Sequence, residues 1–215
     1  MYKRKAFFVA FEGIEGSGKS YQAKKLYKNL KKRGISIILT REPGGTASAE
    51  KIRKLILEDY FKSDKGEKFD KYTDTLLYLA ARNEHVKNII KPAILEKKVI
   101  ICDRFIDSTL AYQVYGKNIN KNLVNAIHHH IIGKIKPNIT ILLKVSVNKA
   151  LKRLGKRKKK NRYDKFSKYF YENVQKAFIK IANRSKRKYF IIDNSKDLKT
   201  TEEIILNKII KVIKK

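Results

Sequence analysis

The sequence predicts a three-layer, doubly wound α/β fold, a five-stranded parallel sheet with helices on both faces. Two observations carry the prediction. Short apolar runs rich in strand-forming residues recur at 6–11, 35–39, 99–102, 139–145 and 189–192. Longer polar stretches with apolar residues at helical spacing separate them, so strands and helices alternate. Nearly continuous apolar strands fit a sheet covered on both faces, and helical crossovers make neighbouring strands parallel.

The first run leads into a glycine-rich turn and a helix over 20–33, which ends after a basic turn at Gly34, a residue suited to a left-handed cap. The second run, 35–39, leads into Thr40-Arg41-Glu42-Pro43-Gly44-Gly45-Thr46. A helix over 73–96 follows, with an apolar stripe at Leu76, Leu77, Leu79 and Ala80, and Pro92 marks a break or kink in it. The third run holds Cys102, the only cysteine, which reads as a buried inert thiol and excludes an internal disulfide framework. Helices over 122–132 and 147–154 flank the fourth run, and helices over 163–184 and 201–213 flank the fifth. His128, His129 and His130 are consecutive, so they cannot converge on one helix face as metal ligands and read as a solvated or partly buried segment. The stretch 155–162 has no apolar residue and is expected to be an exposed, mobile segment between two helices.

No repeat or Pro/Gly/Ser-rich linker interrupts the 215 residues, so one domain spanning 1–215 is expected. A hydrophobic fraction of 42% supplies a sizeable core and excludes disorder over the whole length. No apolar run is long enough to cross a membrane, and the basic start is not followed by a signal-peptide pattern. A soluble cytoplasmic protein with no membrane partner is expected. The net charge of +32 would suit nucleic acid or a phosphorylated ligand. Yet Lys or Arg occurs in every block of ten, and Lys, Ile and Asn all have A/T-rich codons, so genome composition also accounts for it.

Gly13-Ile14-Glu15-Gly16-Ser17-Gly18-Lys19-Ser20 matches G-x-x-x-x-G-K-S/T in full, between a strand and a helix. Glycines let backbone N–H groups turn inward around phosphate oxygens, and the helix N-terminus adds partial positive charge. Lys19 is expected on the β- and γ-phosphates of ATP and the Ser20 hydroxyl on Mg²⁺. Arginines decide what accepts the phosphate. Arg41 follows the second strand and Arg104 the third, while Arg53 and Arg82 lie on helices between them. Several planar donor forks facing a phosphate loop imply a second phosphate, hence a nucleotide acceptor, whereas a nucleoside would need a carboxylate base. As a strand-end charge, Arg104 is expected to matter for transfer and little for stability.

On these and further segments the chain resembles the bacterial-type thymidylate kinase family, phosphate-loop enzymes that phosphorylate dTMP to dTDP with ATP. The matching residues are Phe11-Glu12-Gly13 with the loop through Ser20, and the Thr40–Thr46 segment quoted above. Leu76-Leu77-Tyr78-Leu79-Ala80-Ala81-Arg82 also matches, as do Asp103-Arg104-Phe105-Ile106-Asp107-Ser108-Thr109-Leu110-Ala111-Tyr112-Gln113 and Lys136-Pro137-Asn138. They cover nearly the whole length in order. The resemblance implies that Glu15 faces the acceptor's 3′-hydroxyl and that Tyr78, where the family usually has Phe, stacks on thymine. It places Arg82 and Gln113 on the base edge, Thr109 and Tyr112 around the sugar and base, and Arg104, Arg41 and Arg53 on the acceptor phosphate. Asp103 would support Mg²⁺. Homodimerisation is implied by the family alone.

The basic segment 152–162 resembles the family's lid, which carries catalytic arginine when the phosphate loop has none. Arg153, Arg157 and Arg162 are candidates, with Arg153 and Arg157 preferred. Asn161-Arg162-Tyr163-Asp164 departs from the usual Asp-Arg-Phe-Glu. The alternatives are a kinase of another nucleotide or deoxynucleoside, and a nucleic-acid-dependent ATPase. Arg82 and Gln113 oppose the first. Asp103 followed by Arg104, rather than by a second acid, opposes the second.

Overall fold

Five strands, β1 (Phe7–Glu12), β2 (Ile37–Arg41), β3 (Val99–Asp103), β4 (Ile139–Lys144) and β5 (Tyr189–Asp193), form one all-parallel sheet ordered β2-β3-β1-β4-β5. The computed structural model describes residues 5–58, 69–158, 161–195 and 198–213. Side-chain alternation along β1 builds both outer layers. Val9 and Phe11 pack with Leu26 and Leu30 of α1 (Lys19–Lys31) and with Ile205 and Ile209 of α9 (Leu198–Ile213). Phe8 and Ala10 face the other way, toward Val86, Ile90, Phe105 and Ile132. Burial of a side chain such as Leu30 contributes about 1.5–3 kcal/mol. The edge strands β2 and β5 are only partly covered, so two-sided burial holds for the three central strands.

All five predicted strands are present, and Arg41 closes β2 rather than following it. The helix expected over 73–96 divides into α3 (Lys71–His85), a π-helical stretch (Val86–Ile90) and α4 (Lys91–Leu95). Pro92 has no N–H to donate and its ring would strike the carbonyl four residues back, and the widened turn before it removes that conflict. Between β2 and α3 lies α2 (Ala47–Leu57), which carries Arg53 and is capped by Thr46 Oγ1 accepting from Ala49 N. After β3 come α5 (Ile106–Thr109) and a second π-helical stretch (Leu110–Gly116), neither foreseen as a helix.

Asn120 caps α6 (Lys121–Ile132) and Ser146 caps α7 (Val147–Gly155), close to the predicted spans. The helix expected over 163–184 splits into a 3₁₀ turn (Arg162–Lys165) and α8 (Lys168–Asn183), because Asn161 and Ser167 each cap a separate start. Lys159 and Lys160 of the basic run lie outside the described residues. Strand order reverses direction around β1, so the carboxyl ends of β1, β2, β3 and β4 frame a crevice.

Candidate active site

The glycine-rich turn runs from β1 into α1 as expected. Gly16 sits at φ +73°, and a Cβ there would come within 2.6 Å of the Ala150 carbonyl oxygen, so the turn and its contact with α7 both need glycine. Gly18, also left-handed, starts α1 without a side-chain cap, leaving the N-terminal N–H groups for an anion. The Ile14 side chain is buried in the core, and its carbonyl accepts from Lys19 Nζ at 2.7 Å. Ser17 accepts a longer bond from the same amine at 3.3 Å. Burial, then the Arg104 charge, pushes Lys19 down to about 7.

A cavity of about 570 Å³ is lined by Glu15, Lys19 and Ser20, by Asp103 and Arg104, and by Tyr78 and Gln113. The Ser20 hydroxyl donates to Asp103 Oδ2, and Asp103 Oδ1 is buried with no hydrogen-bond partner. Arg104 takes φ +73° at the end of β3, a conformation uncommon for a residue with a Cβ. It thereby turns its guanidinium back over the loop. Nη1 donates to the Gly13 carbonyl at 3.1 Å and to Ser108 Oγ at 2.9 Å, while Nη2 reaches Glu15 Oε1 at 2.6 Å. Its side chain is only 16% exposed, so the expected free strand-end charge is instead a mostly buried fork that also holds Glu15. Burial opposes ionisation of Glu15, but Arg104 and Lys19 outweigh it and hold the carboxyl below the usual range. Tyr112 donates to its other oxygen.

Arg41 and Arg53 line the same cavity from β2 and α2. Arg41 grips Glu50 with Nε at 3.2 Å and Nη2 at 2.9 Å, and Arg53 Nη1 donates to the Pro43 carbonyl at 2.7 Å. The peptide bond between Glu42 and Pro43 is cis.

Arg82 is a buried hub. Nε donates to Glu42 Oε2 at 2.6 Å, Nη1 to Thr109 Oγ1 at 2.7 Å and to His128 Nε2 at 2.6 Å, and Nη2 to the Phe105 carbonyl at 2.9 Å. Four of its five N–H groups are thus engaged within the protein, which leaves one on Nη2. Glu42 Oε1 also meets His85 Nδ1 at 2.9 Å, and His85 Nε2 meets Thr40 Oγ1 at 2.7 Å. Burial, then Arg82, pushes His128 down to about 3, so its neutral ring accepts the arginine proton. His129 and His130 are exposed while His128 is buried, so the three consecutive histidines form a partly buried helix segment.

The candidate lid arginines part company. Arg153 donates to the carbonyls of Gly16 at 3.0 Å and Asn194 at 3.1 Å, bracing the loop from outside the cavity. Arg157 lines the cavity and pairs with Asp164 at 2.9 Å. Arg162 turns away to pair with Asp74. Sequence reading missed Glu42, His85, His128, Asp74 and Lys117. Glu42 lies in the matching 40–46 segment but was given no role there; for the others the only local signal is charge, and the partners of all five are distant in the chain. Cys102 is fully buried, as expected, and burial raises its thiol well above the usual value. No group of three His, Cys, Asp or Glu side chains suited to a metal occurs among the described residues.

A phosphate loop facing a fork of arginines across one crevice, on a sheet of this order, defines a phosphate-loop nucleoside monophosphate kinase. Residues 11–205 match the family model for thymidylate kinase, and the chain belongs to that family. It is 37% identical to a thymidylate kinase of Sulfurihydrogenibium sp. over 201 residues, covering 94% of this chain and 95% of the relative. It is 35% identical to that of Geobacter sulfurreducens over 214 residues, covering 94% and 98%. The crystal structure of thymidylate kinase from Ehrlichia chaffeensis superimposes with a TM-score of 0.75 at 32% identity, covering 97% of this chain and 99% of that one.

Proposed function

We propose that the whole chain is one kinase domain that transfers the γ-phosphoryl group of ATP to dTMP, giving dTDP and ADP. A dTMP phosphate oxygen bonds to the γ-phosphorus as the bond from that phosphorus to the β,γ-bridging oxygen breaks. The observation that carries the reading is the placement of Arg104. Its left-handed backbone sets a bidentate donor between the phosphate loop and the base-binding end of one continuous cavity. Such a donor positions an anionic acceptor that needs no base.

Arg104, Arg41 and Arg53 hold the acceptor phosphate, with Arg41 exchanging part of its Glu50 contact for it. Lys19 and the loop amides hold the donor phosphates. Tyr78 stacks on thymine, the free Nη2 hydrogen of Arg82 and the Gln113 amide meet its edge, and Thr109 completes the base pocket. The Tyr112 ring crowds a 2′-hydroxyl, and Glu15 faces the 3′-hydroxyl. Arg157 neutralises charge on the transferring group, while Arg153 acts on the loop through its carbonyl contacts. Ser20 and the unpartnered Oδ1 of Asp103 fit a hydrated Mg²⁺, directly or through water. When bound, Mg²⁺ supplies charge neutralisation across the donor phosphates.

No helix among the described residues is long and apolar enough to cross a membrane, and we place the protein in the cytoplasm, where its substrates and a reduced thiol belong. Exposed Leu55, Tyr72, Leu76 and Leu123 on α2, α3 and α6 favour a homodimer, which sedimentation would test. Most of the +32 charge acts only as a general attraction for anionic substrates, and no polymer is required.

The test is turnover with ATP and dTMP, dUMP, dCMP or thymidine. Preference for dTMP is expected. Preference for thymidine, or ATP turnover driven by DNA or RNA without dTMP, overturns the reading.

A further inference from the structure

Glu12 closes β1, is only 1% exposed and does not line the cavity, so it takes no direct part in phosphoryl transfer. Its hydrogen bonds nevertheless run straight to the turn that carries Arg104. Oε1 accepts from Phe105 N at 2.8 Å and from Ser108 N at 3.2 Å, and Oε2 meets Ser108 Oγ at 2.6 Å. Phe105 opens α5 and has no side-chain cap to offer it. Glu12 supplies that cap from another strand, holding the N–H of the opening residue and that of the third residue in the helix.

Arg104 stands immediately before that cap. Its own N–H donates to the Phe11 carbonyl at 2.9 Å, so Phe11 and Glu12, consecutive on β1, hold the peptide units on either side of the left-handed residue. A backbone conformation of this kind persists only where its surroundings fix it. Ser108 carries the constraint on to the side chain. Its Oγ, held by Glu12, accepts from Arg104 Nη1 at 2.9 Å. Gly13 takes the other Nη1 hydrogen and Glu15 takes one from Nη2. That leaves the N–H of Nε and one of Nη2, neighbours on the fork, for an acceptor phosphate. Burial, then Asp107, pushes the Glu12 carboxyl up to about 8. The bond between Glu12 and Ser108 forms with either partner supplying the proton, so Arg104 is held in both charge states.

We infer that Glu12 and Ser108 are positioning residues for phosphoryl transfer: Glu12 fixes the Arg104 backbone and, through Ser108, aims its guanidinium at the acceptor phosphate. An arginine side chain has several rotatable bonds, and a donor free to wander loses the preorganisation on which charge stabilisation depends. Both residues therefore act through Arg104 and not on the substrates. This inference rests on the reading of the protein as a dTMP kinase in which Arg104 holds the acceptor phosphate.

The test is a double-mutant cycle on kcat with dTMP, combining Ser108→Ala, which deletes one hydroxyl, with Arg104→Lys. Ser108→Ala alone is expected to lower kcat about tenfold with the KM for ATP unchanged. In the Arg104→Lys background the same substitution should change kcat less than about twofold, because the group it aims is gone. A merely structural hydroxyl would lower kcat by the same factor in both backgrounds. Glu12→Asp, shorter by one methylene, is expected to show the same coupling to Arg104, and Ser108→Ala decides alone should that variant fail to fold. An unchanged kcat in Ser108→Ala, or equal losses in the two backgrounds, overturns the inference while the kinase assignment stands. If the wild type does not phosphorylate dTMP, the assignment itself fails and the inference falls with it.

Discussion

Arg82 Nε and Glu42 Oε2 lie 2.6 Å apart with side chains only 2% and 3% exposed, joining α3 to the turn after β2. The pair fixes the guanidinium that is proposed to meet the base edge. Removing the carboxylate charge leaves a buried cation uncompensated, which costs about 3–5 kcal/mol. Glu42→Gln should therefore lose about that much stability in urea unfolding and show a raised KM for dTMP. A loss below about 1 kcal/mol would mean that Thr109, His128 and the Phe105 carbonyl suffice to hold Arg82.

The parts of the site written in consecutive residues were legible. The loop 13–20 combines glycines, an apolar strand and a helix start within a few positions, and Arg41 and Arg104 mark strand ends. What joins Glu42, Arg82 and His128, or Asp74, Tyr163 and Gln113, is long-range packing, which leaves no periodic signal. The lid arginines show the same limit. Arg153 and Arg157 are four apart and would share a face of a continuous helix. But α7 ends at Gly155, so one braces the loop while the other lines the cavity.

His128 gives a pH signature. Its folded value of about 3 lies below the ordinary 6.5, so the unfolded chain takes up a proton that the folded protein resists. The associated stability is fully present above about pH 6.5 and declines as pH falls toward 3. Urea midpoints between about pH 7.5 and 4.5 should fall more steeply for the wild type than for His128→Gln. Parallel declines would show that His128 is protonated in both states.

Arg104 should tolerate no substitute. Lysine keeps the charge but cannot bridge Gly13, Ser108 and Glu15 at once. Arg104→Lys should lower kcat by about 10²–10³, the scale of losing one preorganised donor to developing charge. A kcat equal to wild type would remove Arg104 from the transfer step.

Asp103 and Ser20 face each other, with the second carboxylate oxygen of Asp103 unpartnered. Asp103→Asn halves the acceptor capacity and removes the charge, so the Mg²⁺ concentration for half-maximal rate should rise about 10–100-fold, with partial recovery at high Mg²⁺. An unchanged Mg²⁺ dependence would place the metal's protein contacts elsewhere.

Tyr78 lines the cavity, with its ring edge-on to Tyr163 at 6.0 Å between centroids. Stacking needs the ring face and not the hydroxyl, so Tyr78→Phe and Tyr78→Ala separate the two contributions. The alanine variant should weaken dTMP binding by about 1–3 kcal/mol, the scale of base–aromatic stacking, whereas the phenylalanine variant should bind dTMP nearly as the wild type does. ATP affinity, read in the same titrations, should stay constant in both, because the proposed stacking is with the acceptor base alone. A dTMP affinity unaltered in Tyr78→Ala would assign the ring to core packing. Equal losses for dTMP and ATP would point to a general collapse of the crevice rather than to stacking.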